Sequence, residues 1–360
     1  MPSLDIRHRL ALSLVKNQQE KIIIKHPLRQ LFWECTLRCN LACRHCGSDC
    51  RITADTNDMP MEDFGKVLDS VARSTDPHQV MVVITGGEPL MRDDLEACGR
   101  MIYQKGYPWG MVTNGLALTQ ARYKSLLASG LRSMTISLDG LEDSHDWMRG
   151  RQGSFKRATD AIKMVIESGE IEFDVVTCVN KRSYRQLPQI RQLLIGLGLR
   201  HWRLFTVFPA GRAVNDPDMQ LDKEEFRGLM EFIRDTRKEG IIRASYGCEG
   251  FLGNFEGEVR DRFFFCQAGV SIGSVLADGS ISACPSIRSD YHQGNIYQDD
   301  FMEVWNTRFN VFRDRAWMRE MEPCRSCRQF KYCRGGGMHL RDSEGNILLC
   351  RFVSWQGTGL

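Results

Sequence analysis

Cys39, Cys43 and Cys46 stand in a CxxxCxxC spacing within ECTLRCNLACRHCG, residues 34–47. A loop of this length can wrap three thiolates around one cubane. Thiolates are soft anions suited to iron–sulfur clusters. Three ligands leave one iron without a protein donor. A catalytic metal needs such an open position, whereas a structural site fills its coordination shell. Cys35 and Cys50 are the alternatives for a fourth ligand, but Cys35 falls in a predicted strand and Cys50 lies past the loop, so the favoured reading of both is a free buried thiol. A bare CxxxCxxC also suits zinc, which stays open as an occupant at this point.

A second cysteine group closes the chain. Cys324, Cys327 and Cys333 are spaced CxxCx5C, and Cys350 follows. Together they supply four ligands from a compact tail, a set that zinc also accepts. Cys266 and Cys284 bracket a hairpin signal, Ala277-Asp278-Gly279. Cys98 and Cys178 fall within a predicted helix and a predicted strand and read as buried thiols. Of 360 residues, 14 are cysteine, and Met1–Leu28 has no signal-peptide pattern. A reducing, cytoplasmic location is expected, where disulfides are rare and clustered cysteines more often hold metal.

These groups must be positioned by a scaffold. Apolar residues are 42% of the chain and charged residues 26%, which favours a large folded core over disorder. The net charge of +3 gives no reason to expect nucleic acid or an anionic membrane as a partner. No apolar run approaches the length of a membrane span. Residues 29–250 alternate between short β-branched or aromatic runs and longer amphipathic ones. Strands are predicted at Gln30–Cys35, Gln79–Thr85, Trp109–Thr113, Ser133–Leu138, Phe173–Val179 and Trp202–Phe208. Helices are predicted near Met61–Ala72, Asp94–Gln104, Thr119–Ala128, Phe155–Glu167, Tyr184–Leu197 and Asp222–Glu239, with a shorter one at Phe301–Phe312. This alternation implies parallel strands with right-handed crossovers. The expected fold class is α/β, a partial (β/α)6 TIM-like barrel with a cysteine-rich C-terminal extension. A doubly wound open sheet is the competing architecture. Three regions are expected: an arm or helix over 1–28, the barrel over 29–245, and the extension over 246–360. Functional residues belong at the C-terminal ends of the strands.

The cysteine motif and its place after the first strand resemble the signature of radical S-adenosylmethionine (radical SAM) enzymes. That resemblance implies a 4Fe–4S cluster whose open iron is chelated by the cosubstrate's methionine. One electron then cleaves a C–S bond, and a 5′-deoxyadenosyl radical removes hydrogen from the substrate. Thr85-Gly86-Gly87-Glu88-Pro89 matches the family's GGEP motif, which contacts the methionine amino group. The same resemblance carries Asn114, Ser137, Asn180 and Arg212 onto the cosubstrate site, with Ser137 near the ribose. It places His45 beside the cluster in a packing role. The stretch from His145 to Arg149 also resembles family members and is assigned to capping and packing.

The tail is similar to the SPASM domain, which holds auxiliary iron–sulfur clusters. The resemblance implies one auxiliary cluster on Cys324, Cys327, Cys333 and Cys350. A second site retains Cys266 and Cys284, with Cys248 as a candidate third ligand. Its occupancy stays open, because Gly337 stands where the family pattern has another cysteine. The expected substrate is a peptide or protein undergoing modification. A small cofactor precursor such as a tetrapyrrole is the alternative, and a non-enzymatic iron–sulfur or zinc sensor or electron-transfer protein is the third reading. Partners implied are S-adenosylmethionine and a reductant such as flavodoxin or ferredoxin. Only 38 residues precede Cys39, so substrate recognition is expected at the barrel mouth or through a separate protein.

Overall fold

A computed structural model of the chain describes residues 6–247, 249–287 and 291–352. The chain opens with helix α1, Ile6–Lys25. Strand β1 (Gln30–Glu34) follows, then α2 (Met61–Ala72), β2 (Met81–Thr85), α3 (Leu95–Gln104), β3 (Trp109–Thr113) and α4 (Gln120–Ala128). Next come β4 (Leu131–Ser137), α5 (Glu142–Arg149), α6 (Ser154–Ser168), β5 (Glu172–Val179), α7 (Lys181–Tyr184), α8 (Leu187–Gly196) and β6 (His201–Thr206). After α9 (Lys223–Glu239) lie four short strands: β7 (Arg243–Tyr246), β8 (Ile272–Val275), β9 (Ser280–Ser282) and β10 (Gly294–Asn295). Helices α10 (Phe301–Thr307), α11 (Asn310–Arg313) and α12 (Phe330–Cys333) complete the tail.

The strands form one open sheet in the order β10-β9-β8-β1-β2-β3-β4-β5-β6-β7. From β8 to β7 every neighbouring pair is parallel; the pairs β8–β9 and β9–β10 are antiparallel. The six expected strands are all present, in sequential order. Their helices pack by simple periodicity. In α2, Phe64, Val67, Leu68 and Val71 recur at helical spacing and are buried. They cover β1, where Trp33 stacks on Phe64 with ring centroids 4.3 Å apart. Asp222 caps α9 through a reciprocal pair with Glu225, as its sequence suggests.

Three features differ from expectation. The single helix expected over Tyr184–Leu197 is broken into α7 and α8. Pro188, in the first turn of α8, has no N–H to give the Tyr184 carbonyl, so one continuous helix would lose a rung there. The helix expected over Phe301–Phe312 is likewise divided into α10 and α11. The tail hairpin is not separate from the sheet. Strand β8 pairs in parallel with β1 from Gln30 to Trp33, while β7 extends the opposite edge.

Helix α1 docks on the tail. Leu12 packs with Phe251, Phe264, Tyr332 and Phe352, and Gln19 Nε2 donates to the Phe264 carbonyl at 3.3 Å. Among the described residues, no helix is long and apolar enough to cross a membrane.

Candidate active site

The loop after β1 carries the first three cysteines and is fastened from several directions by backbone hydrogen bonds. Gly87 N donates to the Thr36 carbonyl at 2.8 Å and Glu88 N to the Arg38 carbonyl at 2.9 Å. Arg44 N reaches Met148 of α5 at 2.9 Å, and Arg212 N, after β6, reaches the Cys46 carbonyl at 3.1 Å. Strand ends far apart in sequence therefore fix one loop. The paired glycines are explained by this contact. A Cβ on Gly86 would lie 2.2 Å from the Thr36 carbonyl oxygen, and one on Gly87 2.3 Å from that of Arg38. Their small size lets two backbones touch.

Cys39, Cys43 and Cys46 line a cavity of about 140 Å³ together with Thr85, Gly86, Gly87, Glu88, Asn114, Ser137 and Arg212. Asn180 does not reach it. That residue is fully buried, and its Oδ1 accepts from Arg182 N and Ser183 N to cap α7. Asn114 sits over the cysteine loop, with Nδ2 donating to Asn40 Oδ1 at 2.8 Å. Glu88 turns inward. Its Oε1 accepts from Leu90 N at 3.1 Å and Thr113 Oγ1 at 2.6 Å, and its Oε2 accepts from Asn114 N at 2.7 Å. The carboxylate thus locks the ends of β2 and β3, leaving backbone atoms to face the cavity. Glu88→Gln must turn an amide NH₂ toward a backbone N–H. It is expected to cost roughly 1–3 kcal/mol, read as a lower urea midpoint.

Two residues at the cavity were not expected there. Arg149 is 8% exposed. Its Nη1 donates to Cys43 Sγ at 3.6 Å, and its Nη2 lies 2.7 Å from Asp139 Oδ2. In sequence it looks like a basic residue in the last turn of a helix, where dipole compensation accounts for it. Cys50 is 3% exposed and also lines the cavity.

The thiols differ in proton affinity. Burial pushes Cys39 up to about 12. It also raises Cys43, against the opposing pull of Arg149. Cys46 is lowered to about 5, chiefly by a hydrogen bond from Cys50. Cluster binding must therefore expel protons from the first two. Burial pushes His45 down to about 4, so its imidazole is neutral and suits packing. Burial raises Asp139, but the Arg149 guanidinium outweighs it and holds the carboxyl below the ordinary range. The donor set fits an iron–sulfur cluster with a cosubstrate that carries a carboxylate. Three thiols share one cavity, and the buried Nε–H groups of Arg149 and Arg212 at its wall have no hydrogen-bond partner among the described residues.

In the tail, Cys324, Cys327, Cys333 and Cys350 line one small pocket. Among the described residues, three or more metal-ligating atoms within 4.8 Å of one another occur only at His45, Asp139 and Cys178. No three of the four tail sulfurs therefore lie within 4.8 Å of one another. Cys266 and Cys284 form a second pair. Burial raises Cys266, yet the Arg315 guanidinium outweighs it and holds the thiol below its ordinary value. Burial pushes Cys284 up to about 11. Cys248 lies outside the described residues.

A larger cavity of about 510 Å³ adjoins the first and shares His45 with it. Its walls come from the ends of β5 and β6 and from the tail. Cys178, expected as a plain buried thiol, borders this cavity.

Residues 33–194 match the Radical SAM superfamily, and residues 266–328 match the SPASM iron-sulfur cluster-binding domain. The chain belongs to the radical SAM superfamily, with a SPASM domain following the radical SAM domain, and it is an enzyme. Membership of these two families implies a 4Fe–4S cluster with S-adenosylmethionine and auxiliary iron–sulfur chemistry in the tail. Among its relatives, the AdoMet-dependent heme synthase of Nitratidesulfovibrio vulgaris is 26% identical over 321 residues, covering 84% of this chain and 85% of that protein. Mycofactocin maturase MftC of Mycolicibacterium smegmatis is 28% identical over 321 residues, covering 86% and 77%. The fold is similar to that of anSMEcpe with bound AdoMet and Cp18Cys peptide. That likeness has a TM-score of 0.69 and 19% identity, over 92% of this chain and 94% of that one.

Proposed function

We propose that Cys39, Cys43 and Cys46 hold a catalytic 4Fe–4S cluster and that the enzyme modifies a peptide or protein by hydrogen abstraction. When bound, the cluster and S-adenosylmethionine supply one-electron cleavage of a C–S bond and the 5′-deoxyadenosyl radical that takes the substrate hydrogen. The chain's own residues do the rest. Backbone atoms of Gly86–Glu88 would hold the cosubstrate's methionine, Ser137 would offer a hydroxyl to its ribose, and Arg149 and Arg212 would oppose its carboxylate at the cavity wall. A one-electron donor protein such as flavodoxin or ferredoxin supplies the reducing electron.

The peptide reading rests on the charge of the larger cavity. Its described lining includes one guanidinium, Arg341, and two carboxylates, Asp342 and Glu249, the second already paired with the buried Arg351 guanidinium at 3.3 Å. Burial lowers His339 as it does His45, so neither adds positive charge. A tetrapyrrole carrying several carboxylates would find a single cation, Arg341, to pair with there, whereas neutral peptide amides need none. A volume of about 510 Å³ suits a bound segment of either kind. The tetrapyrrole reading retains one point in its favour, the similarity to a heme synthase over most of the chain.

We assign one auxiliary cluster to Cys324, Cys327, Cys333 and Cys350, and a second centre to Cys266 and Cys284. Arg315 favours the second: it is buried, has no carboxylate partner among the described residues, and lies against Cys266. An anionic, metal-bound sulfur would balance it.

The test is anaerobic. The reduced enzyme is incubated with S-adenosylmethionine and either a peptide encoded beside its gene or a four-carboxylate porphyrin. The peptide is expected to gain a mass change and to raise 5′-deoxyadenosine yield. A response to the porphyrin alone would overturn the peptide reading. Cys327→Ala is expected to cut the substrate reaction at least ~10-fold while leaving cosubstrate cleavage measurable. Equal loss of both would mean that the tail chiefly holds the fold together.

A further inference from the structure

Arg341 lies between the tail's cysteine pocket and the larger cavity. The residue is 4% exposed. Its Nη1 donates to the Gly345 carbonyl at 2.5 Å. Its Nη2 donates to the Gly335 carbonyl and to Cys324 Sγ, each at 3.2 Å. The guanidinium stands 5.7 Å above the Trp317 ring. Its Nε–H is buried without a partner, and no carboxylate pairs with it among the described residues. Burying a cation carries a desolvation penalty of several kcal/mol unless a countercharge accompanies it. Two carbonyl dipoles do not amount to one. The countercharge within reach is Cys324 as a thiolate, the state that metal ligation imposes. Arg341 also lines the cavity that contains His45, His339 and Asp342. One side chain thus touches a sulfur of the auxiliary pocket and lines the wall of the larger cavity.

We propose that Arg341 is a positioning residue that sets the reduction potential of the auxiliary centre held through Cys324. This rests on the reading of the tail as an iron–sulfur site. Adding an electron makes such a centre more negative by one charge. A fixed positive charge 3.2 Å from a ligating sulfur stabilises the reduced form, and a hydrogen bond to that sulfur acts in the same direction. The guanidinium therefore holds the potential up. The auxiliary centre becomes a better electron acceptor on the side that faces the larger cavity.

The experiment is an anaerobic redox titration of the iron-loaded full chain, followed by electron paramagnetic resonance, with Arg341→Lys and Arg341→Met. In Arg341→Met the tail signal is expected to move to a more negative potential. The signal of the cluster on Cys39, Cys43 and Cys46 should stay in place. Arg341→Lys keeps the charge without the fork and should shift less. A tail signal at the parent potential in Arg341→Met, with full iron, overturns the proposal. If Arg341→Met loses iron, Arg341→Lys decides. Full iron with a negative shift supports the role, while the parent potential or lost iron overturns it. Cys327→Ala separates the two levels of the argument. If that variant keeps every signal of the parent, the tail is not an iron–sulfur site and the underlying reading falls first.

Discussion

Replacing Cys39 with alanine should reduce formation of 5′-deoxyadenosine to the uncatalysed background while leaving the tail's iron in place. Cys39 stands just after β1, in the same cavity as Cys43 and Cys46. It is 7% exposed, so no ligand from bulk solvent readily replaces it. Loss of one thiolate leaves two protein ligands and a second open iron, which a low-potential cluster does not survive. Cys50 is the obvious spare sulfur. Its thiol is engaged with Cys46, four residues away, and is not placed to fill the corner that Cys39 vacates. Cys50→Ala should therefore keep its iron and retain most of the activity. The measurements are iron and sulfide per chain and 5′-deoxyadenosine after anaerobic reduction. Cleavage at the parent rate in Cys39→Ala would remove the proposed catalytic centre from this loop.

The second large effect is steric. Gly87→Ala puts a methyl group 2.3 Å from the Arg38 carbonyl oxygen, 2.8 Å from its carbon and 2.9 Å from the Leu37 oxygen. All three obstacles are backbone, so no rotamer change relieves them. The β1 loop and the β2 terminus must separate, breaking the bonds from Gly87 N and Glu88 N. An overpacking cost of about 1–3 kcal/mol is expected, together with loss of iron from the first site, because the loop that holds the thiols is displaced. Thermal unfolding and iron per chain measure both effects. Gly196 is the control. It lies in α8 with nothing within 4 Å of a Cβ, so Gly196→Ala should be neutral or mildly stabilising. Equal behaviour of the two variants would show that the close approach at Gly87 carries no constraint.

The sheet's central strands were legible because alternation and β-branched runs are local signals. Helix α2 was readable to its last residue, since its apolar face repeats at helical spacing. Strand β7 was not, because four residues, Arg-Ala-Ser-Tyr, carry little pattern of their own and pair only where β6 already lies. Pairing of β8 with β1 joins residues some 240 positions apart, and no local pattern encodes such a contact. The site divides in the same way. Thr85, Asn114 and Ser137 sit at strand ends, where the architecture collects them. Asn180 also follows a strand, but the start of α7 takes its side chain as a cap. Arg149 was passed over because the charge it answers, Asp139, lies across a turn between β4 and α5. Glu88 lines the cavity with its neighbours in the motif, and its carboxylate, to which the motif assigns no role, locks two strands.

The pairing of β8 with β1 has a consequence for how the gene can be cut or recombined. With β2 on one flank and β8 on the other, the strand that launches the first cysteine loop has no bare edge. A shortened polypeptide ending before β8 would leave its amides and carbonyls uncovered, a ready template for clumping with other chains. The C-terminal portion thus covers an edge that the N-terminal one would otherwise leave bare.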